Sequence, residues 1–371
     1  MRLTYWCEYF WPSIGGVEIL AGRFLAAMQK RGYQTMVVTS HHRAETPAHE
    51  EHEGIPVFRF PFWSVLASGN ATEVLETTQA VNAAIGRFQP DVMHVNASVP
   101  TLFFSLRTVA KRPTPMLLAL RGALDGYSGA TDTLFPTAAR SAAWVSAVST
   151  AILGDARRLV PDITERSSVI YNGLAPPAIA PAPLSFEPTR LLCIGRLVPL
   201  KGFEIAVEAL AVLARRYPRV EMIVAGEGRA RPGMERAVHA AGLSEKVRFV
   251  GWVRPEEVPE LINSATIVVM PSRTEGLPQV AIQAAQMGRP VVGSRIAGLA
   301  EVVVDGETGV LVVDPTGSSL ADAIGFLIEH QDEARRLGAA AQRRARSLFD
   351  WEPYLDAHDS LYRILAKEVS R

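Results

Sequence analysis

The chain is short of several things that would assign it to a place or partner. Of its 371 residues only two are cysteine, which excludes a disulfide framework. Cys7 and Cys193 both lie in apolar runs that read as strands, so reduced, buried thiols in a cytoplasmic protein are expected. Lysine plus arginine equals aspartate plus glutamate at 38 each. No field of one sign therefore points to nucleic acid, and binding should be local. The N-terminal MRLTYWCEYF has no apolar stretch of signal-peptide length, and no run approaches the ~20 residues of a membrane span. The length favours two domains of roughly 180 residues each.

What the chain does have is alternation of strand and helix, and it is densest around MPSRTEGLPQVAIQAAQMGRPVVGS, Met270 to Ser294. The apolar run Ala265–Met270 reads as a buried strand. A helix is expected to begin near Pro278, to end at Gly288 and to feed a second strand, Val291–Gly293. The turn Glu275-Gly276-Leu277 sets a helix N-terminus beside a carboxylate. The first suits phosphate, while the second suits a neutral, hydroxyl-rich group joined to that phosphate. A nucleotide-sugar contains both.

The same alternation fills the rest of the chain. Met1–Cys7, Gln34–Ser40, Asp91–Val95, Met116–Leu120, Trp144–Val148 and Ser168–Tyr171 read as strands with helices between them, and the histidine-rich His41–Gly54 as a solvated loop. Gly15-Gly16, directly before the first helix, suits either close approach of a ligand or tight packing of helix on sheet. Tyr9, Phe10 and Trp11 suit either a sugar face or a core. Leu174–Pro188 carries five prolines and reads as a stiff linker. The pattern then restarts at Leu191–Ile194 and continues to a final amphipathic segment, Trp351–Lys367. The expected domains are 1–173, a linker 174–188, 189–350, and a terminal helix 351–371. The fold class is α/β, with two Rossmann-like domains facing across a cleft and ligands at the carboxyl ends of the strands.

In the second domain a strand ends in Gly195-Arg196 and a turn delivers Lys201 just before a helix. Two cations there suit a diphosphate leaving group, whose growing charge must be stabilised without a proton donor. Gly226-Glu227-Gly228 and the turn at Gly276 complete one anion pocket.

These residues, with Phe249-Val250-Gly251, Pro271-Ser272, Glu275-Gly276, Gly288, Pro290-Val291-Val292 and Gly298-Leu299 through Gly309, resemble retaining glycosyltransferase family four. The resemblance covers the whole second domain. In the first it rests on Gly15-Gly16, Asp91 with His94, and Asn172-Gly173. It implies the GT-B fold, with the C-terminal helix crossing back to the first domain, and a nucleotide-sugar donor, UDP favoured over GDP. Arg196 and Lys201 would hold the diphosphate, helped by the backbone at Gly16 and around Leu277. Glu275 would bind hydroxyls of the transferred hexose, and the base would lie near Val250 and Trp252. No Asp-x-Asp occurs, so neither a metal nor another cofactor is expected.

The chain departs from the family pattern at two positions. Gln283 stands where a second glutamate, facing the ribose, is usual. Arg121 stands where many members carry histidine, and arginine cannot act as a base, so a role there is electrostatic. The implied reaction is front-side displacement by an acceptor hydroxyl. The acceptor is a glycan, a carrier-linked sugar or a small metabolite, with peripheral membrane contact left open. The alternatives are a relative that binds nucleotide-sugar without turnover and an epimerase on the same fold.

Overall fold

The computed structural model describes residues 1–13, 15–124 and 133–368. The chain divides into two compact units, Met1–Tyr171 with Pro353–Arg371, and Asn172–Glu352.

Unit 1 opens with β1 (Arg2–Cys7), α1 (Gly16–Lys30), β2 (Gln34–Ser40), β3 (His49–His52) and β4 (Ile55–Phe60). It continues through α2 (Phe62–Ser68), α3 (Ala71–Phe88), β5 (Val92–Asn96), α4 (Val99–Lys111) and β6 (Met116–Leu120). It closes with α5 (Leu134–Ser141), β7 (Trp144–Ala147), α6 (Thr150–Leu159) and β8 (Ser167–Val169). The described strands form one sheet in the order β3-β4-β2-β1-β5-β6-β7-β8. Helices cover both faces of such a sheet, so a central strand carries a continuous apolar run instead of an alternating one. β1 is buried from Leu3 through Cys7, and α1 buries Leu20, Phe24, Leu25 and Met28 at helical spacing.

One pairing differs from the sequence expectation. His41–Gly54 is not wholly loop, because β3 pairs antiparallel with β4. The hairpin closes through Glu53 and Gly54, both at positive φ (50° and 76°), the handedness that a tight two-residue turn requires. The strand is polar because it is an edge, where charge discourages further pairing. Arg59 of β4 is buried and ties the hairpin inward, donating to Glu50 Oε1 at 2.5 Å, to Pro47 O at 3.0 Å and to Trp11 O at 2.5 Å.

Unit 2 contains β9 (Thr189–Ile194), α7 (Phe203–Arg216), β10 (Val220–Ala225), α8 (Arg231–Ala240), β11 (Val247–Gly251), α9 (Val258–Asn263) and β12 (Ile267–Met270). After these come α10 (Gln279–Gln286), β13 (Val291–Ser294), α11 (Ala297–Val302), β14 (Gly309–Val312), α12 (Gly317–Glu329) and α13 (Gln331–Leu348). The sheet order is β11-β10-β9-β12-β13-β14, and each pairing is parallel. The proline-rich stretch lies along this unit. Phe186 enters the core, and the fully buried Arg289 donates to Ala182 O at 2.9 Å, Asn263 O at 2.7 Å and Asn263 Oδ1 at 2.7 Å. Its recorded acceptors are thus oxygens of amides, several at the C-terminal end of α9, where the helix dipole favours a cation. Burial pulls its pKa down to about 10.

The last helix, α14 (Trp351–Glu368), belongs from Pro353 onward to unit 1. Tyr362 OH lies 2.5 Å from His94 Nδ1, and Tyr33 OH donates to Asp359 Oδ1 at 2.5 Å. His358 is stacked 5.7 Å from the His94 ring.

Candidate functional site

The residues of unit 2 singled out above collect where its strands end. β9 and β12 are neighbours in the sheet, so the loops that follow them run side by side. Gly202, at φ +62°, makes their contact possible: a Cβ there would sit 2.1 Å from Pro271 O. The loops are also joined by Arg273 N donating to Leu200 O at 2.8 Å. This brings Lys201 Nζ within 2.5 Å of Glu275 Oε1. Ser272 Oγ donates to the same oxygen at 2.8 Å. Among the described residues no partner is recorded for Oε2, so the carboxylate is held by one oxygen and presents the other. The pair is mostly buried, with side-chain exposures of 23% for Lys201 and 11% for Glu275. Water therefore screens it less than a surface pair.

Arg196, at the end of β9, is exposed and has no ion pair among the described residues. Its strand end is fixed by backbone bonds, Gly195 N to Ala225 O at 2.9 Å and Leu197 N to Glu227 O at 2.8 Å. Gly226 continues the row toward β11 by donating to Gly251 O at 2.6 Å. There Val250 is half-buried and Trp252 is 51% exposed. The Glu227 carboxylate accepts from Arg231 Nη1.

On the other side α10 begins without a side-chain cap and follows directly on Glu275-Gly276-Leu277. Gly298 allows α11 to press on that turn: a Cβ there would stand 2.2 Å from Glu275 O and 2.5 Å from Gly276 O. Leu277 is buried beneath the turn, and Gln283 is half-buried one turn into α10.

The remaining predicted residues are in unit 1. Gly15 caps α1 in an extended conformation, and a side chain there would meet the Glu18 carboxylate, the end of a flexible chain. Local packing thus makes only a weak demand for glycine. Gly16 is the first residue of α1. Arg121 follows β6, its Nε donating to Asn96 Oδ1 and its Nη2 lying 3.5 Å from Tyr5 OH. Burial works against its charge, but the facing Tyr5 and Tyr354 hydroxyls more than offset this and hold its pKa above the ordinary value. His94 is fully buried, its Nε2 without a recorded partner, and burial drives its pKa well below the usual imidazole range. Cys7 and Cys193 are free and buried, and burial pushes both thiols up.

Two residues escaped the sequence reading. Ser272 carries a short-range signal, a hydroxyl three residues before the carboxylate that it holds. Asn96 had no signal, since its partner Arg121 is 25 residues away.

Residues 180–344 match the family described as glycosyl transferases group 1, and residues 14–176 match glycosyltransferase family 4. The chain is 34% identical over 151 residues to alpha-D-kanosaminyltransferase from Streptomyces kanamyceticus, covering 41% of this chain and 39% of that protein. It is 34% identical over 184 residues to glycogen synthase from Mycobacterium tuberculosis, covering 50% and 44% respectively. The matches thus span less than half of these curated relatives. Among solved structures, sucrose-phosphate synthase from Thermosynechococcus elongatus superimposes with a TM-score of 0.85 at 21% identity, over 98% of both chains. Anabaena HepE in complex with UDP-glucose superimposes with a TM-score of 0.75 at 21% identity, over 100% of this chain and 99% of that one. With both units matched by glycosyltransferase families and the fold shared with these structures, the chain belongs to the family-four-like glycosyltransferases of the GT-B fold.

Proposed function

We propose that this protein moves a hexosyl unit from a nucleotide-sugar, UDP-sugar in preference to GDP-sugar, to a hydroxyl of a glycan or glycoconjugate, with retention at the anomeric carbon and without a metal. The observation that carries the reading is the shared Glu275 oxygen. Lys201 and Ser272 hold Oε1, leaving Oε2 for hydroxyls of the donor hexose. Arg196, on the adjacent strand end, is exposed and has no ion pair among the described residues, so a diphosphate would displace no recorded carboxylate partner. In the reaction the acceptor oxygen forms the new bond on the face from which the phosphate leaves. Its proton passes to the departing phosphate, and the two cations take up the charge that accumulates there. Gly226 and the turn at Gly276-Leu277 supply backbone around the diphosphate, and Val250 with Trp252 receives the base. Gln283 reaches the ribose if the donor bends over the start of α10. Gly15, Gly16 and Arg121 are assigned to the same reaction from unit 1, Arg121 as a fixed positive charge. The donor's appearance in the HepE complex favours UDP.

The test is release of nucleotide from a panel of UDP- and GDP-sugars, with and without EDTA. Slow release of UDP that survives EDTA is expected even without an acceptor, since water can stand in for the hydroxyl. Absence of release from every donor would leave a silent nucleotide-sugar binder. Activity abolished by EDTA and restored by Mn²⁺ would overturn the metal-free reading, and appearance of a sugar isomer would assign an epimerase instead.

A further inference from the structure

Three aromatic side chains on unit 1 are left in water although the chain could have buried them. Tyr9 is 44%, Trp11 43% and Trp63 42% exposed, whereas their neighbour Phe10 is buried at 4%. The row Tyr9-Phe10-Trp11 is therefore divided, one ring going to the core and two to the surface. Tyr9 and Trp63 meet at Glu8, where β1, β2 and β4 end, and Trp11 shares a hollow with His42, on which Tyr9 stacks. Glu8 O accepts from Thr39 Oγ1 at 3.0 Å and from Ser40 N at 3.3 Å, and lies 3.1 Å from His42 Nε2. The Glu8 carboxylate accepts from Trp63 Nε1.

The rings are also braced. Tyr9 stacks on His42 with centroids 4.2 Å apart and planes at 15°. Trp11 stacks on His52 of β3 at 4.5 Å and 6°, and its carbonyl is held by the buried Arg59. Bracing one face of a ring and fixing its backbone removes the motion that binding would otherwise have to freeze. Beside Trp11 lies a hollow lined by Ser40, His42 and Arg59. Ser40 Oγ is buried beneath it and has no hydrogen-bond partner recorded among the described residues.

We propose that this cluster is a platform for a pyranose ring of the acceptor glycan. Flat rings match the apolar C–H face of a sugar, while Glu8 and the imidazoles match its hydroxyls. A protein partner would call for a continuous apolar patch, and here each ring is bordered by a carboxylate or an imidazole. The proposal rests on the glycosyltransfer reading, for which it narrows the acceptor to a glycan. It concerns unit 1 alone.

The test is titration of intrinsic tryptophan fluorescence with maltotriose, mannotriose and chitotriose, using glycerol as the control and UDP in a parallel titration. At least one trisaccharide should saturate. Trp11→Ala and Trp63→Ala should each weaken it about three- to tenfold, the range for a lost aromatic contact, with Trp11→Phe close to wild type and UDP binding unchanged. Glu8→Gln should weaken the trisaccharide while leaving an acceptor for Trp63. Failure of all three trisaccharides to saturate overturns the platform, as does binding that ignores Trp11 and Trp63. So does a self-association in sedimentation that Trp11→Ala abolishes. If UDP binds and no trisaccharide does, only the platform falls; if a trisaccharide binds through Trp11 and UDP does not bind, only the donor reading falls.

Discussion

The two sheets end in different ways at their carboxyl edges. In unit 2 the edge is mostly backbone: Gly202 meets Pro271 O, Gly298 meets the Glu275 and Gly276 carbonyls, and a few charged side chains stand on that base. In unit 1 the edge is mostly side chain, with braced aromatic rings near Glu8 and the β3–β4 hairpin at one end and a polar network of Tyr5, Asn96 and Arg121 at the other. A backbone surface can follow a ligand that is the same in many proteins, because its geometry requires glycine at fixed places. A side-chain surface can be rebuilt around any ligand by changing the residues. On the reading above, the first serves the donor and the second the acceptor.

The largest effect should come from breaking the charged part of the unit 2 edge. Arg196→Ala and Lys201→Ala are each expected to lower kcat on the order of a hundredfold, as loss of a group that stabilises developing charge does. Donor KM should change much less. Steady-state kinetics with a UDP-sugar checks this, and a loss confined to KM would remove both residues from the leaving-group role. Lys201→Ala frees Glu275 as well, so Arg196→Ala is the cleaner of the two.

Acid should separate the units next. Burial holds the His358 pKa down to about 4 and that of His94 well below 6.5. Between pH 6.5 and about 4 the unfolded chain therefore binds protons that folded unit 1 does not. By linkage, stability must fall as pH falls through that window, by up to about 3 kcal/mol for a histidine displaced this far. Hydrogen exchange followed from pH 7 to pH 4 should show α14 and β5 losing protection before the strands of unit 2. His358→Phe should flatten the dependence. Equal loss in both units would mean that the buried imidazoles do not control it.

The smallest effect concerns Gln283. If it touches the ribose, Gln283→Glu restores a charge-assisted bond and lowers donor KM several-fold, about 1 kcal/mol, with kcat little changed. Glu227, which could repel a second negative charge, is already paired with Arg231, and this favours a gain. KM for Gln283→Glu and Gln283→Ala at two ionic strengths decides the matter, and no change in either variant would detach Gln283 from the donor.

The same contrast explains what could be read from the residues alone. β10 runs Val220–Ala225, as its apolar run indicates, and most other strands differ by a residue or two at their ends. β3 and α2 were not visible. The first is polar because it is an edge, and the second is seven residues long, too short to establish a helical period. Lys201 and Glu275 could each be named as candidates from local spacing. Their direct contact could not, since it depends on two glycines admitting carbonyls from other segments. Arg289 gave no warning either, because its partners Ala182 and Asn263 lie on separate segments far from it in the chain.

The membership of α14 in unit 1 has a consequence for synthesis. His94 and Tyr362 touch although 268 positions separate them, so the core of unit 1 lacks a wall until residues after Pro353 have been translated. Unit 2, continuous from Asn172 to Glu352, has all its parts earlier. On the ribosome, where N-terminal segments usually fold first, the order is therefore reversed for completion. The second-made unit can close while the first-made one still exposes Phe24 and the His94 ring to whatever chaperone is at hand.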